Sequence, residues 1–252
     1  MKKPQTRIFL NEWQGGDVVL TDFQRQHLKV LRVSPGQTLV VLTPLEEIYI
    51  EVVSISKKLK AKVLTRAPLP VPALSIHLVQ SLPKGDKIGD IIQSCTELGV
   101  SRVTPVISER SVSLPDAGSS ARKRERWQAI AESAATQSRQ LICPPVDPIM
   151  HLCDWSPVGD YDLKLVCWEE VDVSASLKSV LTACGSQITA HAAANTTLRV
   201  LVLIGPESGL SDAEVAVLRE QGLTPVSLGN TILRVEHAGF YACAQIRYQI
   251  EA

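Results

Sequence analysis

Two glycine-bearing segments near the C-terminus hold the residues best suited to chemistry. The first is Gly205-Pro206-Glu207-Ser208-Gly209-Leu210, which follows the apolar run Val200–Ile204 and precedes Ser211-Asp212-Ala213-Glu214. An apolar run of this kind reads as a strand, and glycines let backbone come close to a ligand. Ser211 with Glu214 three residues on is a capping box that starts a helix. The second, Val226-Ser227-Leu228-Gly229-Asn230-Thr231-Ile232-Leu233-Arg234-Val235-Glu236, repeats strand, glycine turn and helix, and adds an arginine two residues from a glutamate. Neither has the G-x-G-x-x-G spacing of a dinucleotide fold or the Gly-Lys-Ser/Thr of a P-loop, so both of those phosphate sites drop out. Two readings remain. The segments are plain strand-to-helix turns, with Arg234 and Glu236 forming a helix-end ion pair of little energetic value; or they are two walls of one cleft beyond the carboxyl ends of parallel strands, with Arg234 and Glu236 aimed into it.

The rest of the chain supplies elements able to hold such a cleft. Residues 7–66 read as short β-type runs (8–10, 18–20, 37–43, 48–55 and 61–65), separated by Gly15-Gly16, Ser34-Pro35-Gly36 and Thr43-Pro44 and interrupted by one helix, 22–32, capped by Thr21 or Asp22. This is the rhythm of a small barrel or sandwich. Ala67-Pro68-Leu69-Pro70-Val71-Pro72 reads as an extended connection, which divides the chain into domains at 1–72 and 73–252. Beyond it, apolar runs at 75–80, 102–106, 163–168, 200–204 and 225–228 alternate with helical periodicity at 88–98, 121–140, 175–183, 212–221 and 235–250. Such alternation predicts an α/β domain with a largely parallel sheet covered on both faces. Residues 185–197, small and polar, read as a mobile loop.

Composition narrows the function classes. The 252 residues carry 26 Lys+Arg against 26 Asp+Glu, which argues against a protein that coats nucleic acid indiscriminately. Residues 1–72, however, hold 11 basic against 6 acidic side chains and the remainder 15 against 20, so a basic front part precedes a mildly acidic body. That asymmetry suits a polyanion-binding front domain as well as it suits an ordinary solvated surface. No stretch approaches the roughly 18 apolar residues of a membrane helix and the N-terminus does not resemble a signal peptide, so a cytoplasmic protein is expected. The six cysteines form no C-x-x-C pair; reduced, mostly core thiols and no metal site are expected.

The chain resembles the RsmE family of bacterial RNA methyltransferases, within the knotted SPOUT superfamily. The likeness is carried in order by Arg7; His27-Leu28, Val30-Leu31-Arg32 and Gly36; Lys84-Gly85; Gln93 with Thr96-Glu97-Leu98-Gly99-Val100; Glu109-Arg110-Ser111-Val112; Arg126-Trp127; Gln137; Gly205-Pro206-Glu207 with Gly209-Leu210; and Leu228-Gly229 with Ile232-Leu233-Arg234 and Glu236. It departs from the family pattern at Ser208, usually glycine, at Ser94, often lysine, and at Val235 and His237, typically threonine.

The resemblance implies S-adenosyl-L-methionine-dependent methylation of N3 of a uridine in 16S ribosomal RNA of the small ribosomal subunit. It also implies a PUA-like β-barrel RNA-binding domain before a trefoil-knotted SPOUT methyltransferase domain, and a homodimer. By the same match Leu203, Ile204, Gly205, Pro206, Glu207, Gly209, Leu228, Gly229, Ile232 and Leu233 bind the cofactor. Arg234 is the first candidate to stabilise charge developing on the uracil oxygens, since a guanidinium donates without titrating. Glu207 and Glu236 are candidates to take the N3 proton or to orient Arg234. His27, Arg32, Lys84, Arg110 and Arg139 are candidate RNA contacts, with Lys57, Lys58, Lys60 and Lys62 as further phosphate contacts or a lysine-protected strand edge. Arg122, Lys123, Arg124 and Arg126 form a second basic cluster on a helix that buries Trp127. A non-catalytic RNA-binding or ribosome-assembly factor of the same fold, and a relative acting on another RNA position, stand as alternatives.

Overall fold

The computed structural model describes residues 6–56, 58–112 and 117–251. Cα packing divides the chain into two units, Met1–Pro70 with Ala135–Cys143, and Val71–Ala134 with Pro144–Ala252.

The first unit contains β1 (Arg7–Phe9), β2 (Val18–Val19), α1 (Asp22–Val30), β3 (Thr38–Leu42), β4 (Glu46–Ile55) and β5 (Lys58–Pro68). Its sheet runs β1-β3-β4-β5-β2, antiparallel except for the β1–β3 pair, and forms a half-barrel. Period-two burial along β4 turns Ile48, Ile50 and Val52 into a core shared with Ile8, Leu28, Leu39, Val41 and Leu59. On β5, Lys58, Lys60 and Lys62 are exposed at alternate positions; Lys57 lies outside the described residues. The Thr21 hydroxyl caps α1 by accepting from the Gln24 N–H, and the Gln24 side chain accepts in return from the Thr21 N–H. That helix ends at Arg32, whose φ of +52° puts an arginine where glycine is favoured. In the 135–143 segment Arg139 does the same at φ +60°, and its carbonyl accepts from the Arg7 guanidinium at 2.9 Å.

The second unit contains β6 (Leu74–Ser81), α2 (Ile88–Glu97), β7 (Arg102–Ile107), most of α3 (Ala117–Gln137), β8 (Met150–His151), β9 (Leu163–Cys167), α4 (Leu177–Ala183), α5 (Gly185–Ala194), β10 (Leu198–Ile204), α6 (Asp212–Glu220), β11 (Thr224–Val226) and α7 (Val235–Glu251). Six parallel strands lie in the order β11-β9-β10-β6-β7-β8. β10 is apolar throughout its final five residues because it lies inside the sheet, between β9 and β6, with Val200–Leu203 fully buried. α7 packs on β6, β10, α2 and α4, which buries Cys243 and Ile246. Trp127 is a core residue, as expected. Its basic neighbours are partly committed: Arg124 donates to the Val146 carbonyl and Arg126 pairs with Asp86.

Residues 185–194 form a helix, α5, rather than a loop: the small residues suit either, but alanines at 190 and 192–194 favour helix, and Asn195 ends it in the left-handed region at φ +52°. The edge strand β8 is two residues long, too short to show alternation. No helix among the described residues is long and apolar enough to cross a membrane.

A polar chain that runs from the exposed Arg102 to the buried Thr104 and His77 ties the amino-terminal side of this sheet together. Arg102 holds Asp147 through two bonds, of 2.8 and 3.0 Å, and the Thr104 hydroxyl also donates to Asp147. With its proton so engaged, Thr104 accepts from His77 Nε2 at 2.7 Å, which leaves Nδ1 to accept from the Tyr161 hydroxyl at 2.6 Å. His77 is therefore neutral; burial first, then the Arg102 charge, brings its pKa down to about 4. The unfolded chain binds this proton near the ordinary value of 6.5 and the folded one does not, so stability is complete above that pH and is lost as pH falls toward 4. A loss on the order of 3 kcal/mol is expected between pH 6.5 and 4 from this residue. Urea midpoints at several pH values test it: His77→Gln should flatten the profile, and an unchanged slope would remove His77 from the account.

Candidate active site

Since β9 lies between β10 and β11, the loops leaving the carboxyl ends of these three neighbouring strands converge. They enclose a cleft of about 380 Å³, lined by Cys167–Glu170 after β9, Ile204–Glu207 and Gly209 after β10, and Ser227–Leu233 after β11, with Val235 and Ala238 of α7 closing it. That volume suits a nucleoside-sized ligand.

Each wall is held by identifiable contacts. Ser211 caps α6, accepting from the Glu214 N–H at 3.3 Å, and its hydroxyl donates to Glu109 at 2.6 Å. The Glu214 carboxylate accepts from the N–H groups of Ser211 and Glu109. Arg110 donates to the Ser208 carbonyl at 3.1 Å. The loop after β7 thus braces the loop after β10. Gly209 has φ +68°, a left-handed conformation that favours glycine, and the end of the exposed Glu169 side chain occupies the space a Cβ there would take. Ser208, where the family pattern has a second glycine, is not left-handed, and the turn accommodates its side chain. Across the cleft, the Ser227 hydroxyl accepts from the Gly229 N–H at 3.2 Å.

Of the residues expected to bind cofactor, Ile204, Gly205, Pro206, Glu207, Gly209, Leu228, Gly229, Ile232 and Leu233 line the cleft. Leu203 stands one residue behind, fully buried in β10. Arg234 precedes α7 and is exposed, outside the lining; its carbonyl accepts from the His237 and Ala238 N–H groups. Glu207 accepts from the Lys84 N–H at 3.0 Å and from Lys87 Nζ at 3.1 Å, and the same ammonium lies 3.3 Å from Glu236. Burial opposes ionisation of Glu207, but backbone N–H donors and Lys87 outweigh it; Glu236 is lowered first by its own N–H and then by Lys87. Both are ionised at neutral pH.

The candidate RNA contacts divide between the units. His27, stacked on Phe23, with Arg32 and Arg139 belongs to the first; burial lowers the His27 pKa. Lys84 and Arg110 belong to the second. Sequence reading singled out neither Trp168-Glu169-Glu170 nor Lys87. Trp168 follows an apolar strand as the glycine loops do, but without a glycine to mark it.

The lining has one chemical bias. It carries three carboxylates, Glu169, Glu170 and Glu207, and no Lys, Arg or His. It therefore disfavours phosphate-bearing cofactors and favours a polar or cationic nucleoside. Trp168 also belongs to this wall; the Arg219 guanidinium of α6 lies over its ring, 5.7 Å from the centroid, and its buried indole N–H has no hydrogen-bond partner among the described residues. Cys167 also lines the cleft, but burial pushes its thiol up to about 12, so it offers no thiolate nucleophile.

The family model for the RNA methyltransferase domain matches residues 70–247, which include every strand of the six-stranded sheet and all of the cleft. The chain belongs to the RNA methyltransferase family. Relatives named ribosomal RNA small subunit methyltransferase E establish the RsmE resemblance within it. That of Bacillus subtilis is 36% identical over 71% of this chain and 67% of its own length. That of Mycobacterium bovis is 30% identical over 86% and 80%. The Synechocystis relative is 33% identical over 73% of this chain, which spans 55% of it. The crystal structure of the Neisseria gonorrhoeae methyltransferase E bound to S-adenosyl methionine superimposes with a TM-score of 0.75 at 28% identity, covering 96% of this chain and 97% of that one. The likeness to that structure extends over both units of this chain, whereas the family model begins at residue 70.

Proposed function

We propose that this chain methylates N3 of a uridine in 16S ribosomal RNA, using S-adenosyl-L-methionine held between its two glycine loops. The observation that carries this reading is the cleft itself: enclosed by the two glycine loops and lined by the carboxylates of Glu169, Glu170 and Glu207 with no Lys, Arg or His in its lining, it suits a ligand that bears a sulfonium and an ammonium but no phosphate. When bound, that cofactor supplies an electrophilic methyl group. Gly205, Gly209 and Gly229 let main chain approach the adenosine, and Ile204, Leu228, Ile232 and Leu233 enclose it.

The protein's own part in the transfer falls to residues at the rim. The target base must be unstacked before its N3 edge reaches the cleft. Arg234, exposed at the start of α7, donates to a uracil oxygen as negative charge develops there. Glu207 and Glu236, both ionised, are able to accept the N3 proton. The 1–72 portion acts as a PUA-like RNA-binding domain ahead of the 73–252 catalytic domain. His27 and Arg32 would meet phosphates there, joined by Arg139 from the 135–143 segment of the same packing unit, and Lys84 and Arg110 would do so near the cleft. Arg32 and Arg139 both keep an arginine in left-handed backbone at a helix end, at a strain cost that a contact role would account for. The trefoil knot, a homodimer and a cytoplasmic location belong to the same proposal.

Purified protein is expected to transfer label from methyl-labelled S-adenosylmethionine to small ribosomal subunits or their RNA. Digestion to nucleosides should give 3-methyluridine. A different labelled nucleoside would sink the substrate assignment. Absence of cofactor binding at millimolar concentration in calorimetry would favour the non-catalytic RNA-binding reading instead.

A further inference from the structure

The ammonium of Lys87 lies within 3.1 Å of Glu207 and 3.3 Å of Glu236, one from the loop after β10 and the other from the start of α7. Lys87 comes from a third element, the loop that joins β6 to α2. That loop is itself fixed: the Lys84 N–H donates to Glu207 and Asp86 pairs with Arg126. Two carboxylates that both reach one nitrogen must stand close together, and without a shared cation they would repel. We propose that Lys87 is a positioning residue for methyl transfer: by bridging Glu207 and Glu236 it locks the cofactor loop to the start of α7 and so fixes the setting of Arg234. This rests on the activity proposed above.

The groups facing the bridge are few. The Lys84 N–H supports Glu207, His237 adjoins Glu236, and Arg234 stands two residues before it. The two carboxylates, Glu207 through a hydrogen bond and Glu236 as an ion pair at 3.3 Å, raise the Lys87 pKa, so the bridge stays charged through the neutral range. Removing the cation leaves two like charges side by side, and one of the carboxyls then takes up a proton at higher pH than in the wild type.

The test compares wild type, Lys87→Met and Lys87→Arg in two measurements: steady-state methyl transfer against pH, and titration of glutamate side-chain carboxyls by ¹³C NMR without cofactor. In Lys87→Met, kcat should fall by about tenfold or more, as a misplacement near the reacting groups costs up to about 10²-fold. The acid limb of its kcat profile should move to higher pH, a glutamate carboxyl should titrate higher, and the loss should fall more on kcat than on cofactor affinity. Lys87→Arg should recover most of the rate and the wild-type carboxyl titration. If Lys87→Met does not fold, Lys87→Gln carries the same readouts. Wild-type kcat, acid limb and carboxyl titration in the neutral variant overturn the bridge, as does a folded Lys87→Arg no better than Lys87→Met. A wild type that transfers no methyl group removes the proposed activity and this inference together, whereas an active wild type with an indifferent Lys87→Met removes the bridge alone.

Discussion

Arg234→Ala is expected to lower the rate of methyl transfer by about 10²- to 10³-fold, the usual cost of deleting one preorganised donor to a developing oxyanion. Cofactor affinity should stay essentially unchanged, because Arg234 stands outside the cleft lining. The two consequences separate cleanly in single-turnover kinetics: a loss in the chemical step at equal cofactor binding marks an interaction made in the transition state. Thermal stability should change little, since the side chain is exposed. Lys at this position keeps the charge but not the planar fork, so Arg234→Lys should fall between the two. A variant that loses cofactor affinity in parallel with rate would make Arg234 a structural residue of the turn and return the oxyanion role to another donor.

Gly209→Val should act on the other quantity. A β-branched residue at φ +68° is strained, and its side chain would displace the Glu169 carboxylate, whose exposed side chain can swing aside, so the larger cost falls on the turn. Strain of this kind costs about 1–3 kcal/mol. If it is relieved by opening the cleft, cofactor affinity falls roughly 5- to 150-fold. Ser208→Val, one residue away, serves as the control: Ser208 is not left-handed, so the same side chain carries no comparable backbone cost there. Calorimetry with S-adenosylmethionine distinguishes them, and equal affinities in the two variants would remove Gly209 from the account of the pocket. Glu169→Gly in the Gly209→Val background should recover part of any loss that comes from overlap and none that comes from φ.

The positions of the main elements followed from local physics. The apolar run at 200–204 is a strand because an interior parallel strand has no solvent face to mark with polar residues. The Ser211–Glu214 capping box starts α6 where its spacing says it should, since the bonds it makes span three residues and need no distant partner. Thr21 starts α1 in the same way. The two glycine turns were visible for a related reason: positive φ at Gly209 and Gly229 is a backbone demand that leaves its trace in residue type. Where local signals misled, at 185–197, small residues compatible with both loop and helix left the choice to propensity.

The third wall of the cleft had no local trace. Trp168, Glu169 and Glu170 meet the glycine loops because β9 is inserted between β10 and β11, and strand order is set by how the whole sheet packs rather than by any residue in these strands. Lys87 is a further case. In the chain it is one lysine in a basic and acidic loop; only the folding of β6 beside β10, and of α7 across both, brings its ammonium to carboxylates 120 and 149 residues away. Strands, caps and turns could be read in order along the chain because their causes lie within a few residues. The cleft's charge and the pairing of its acidic groups could not, because both are sums over segments that meet only once long-range burial has set the sheet.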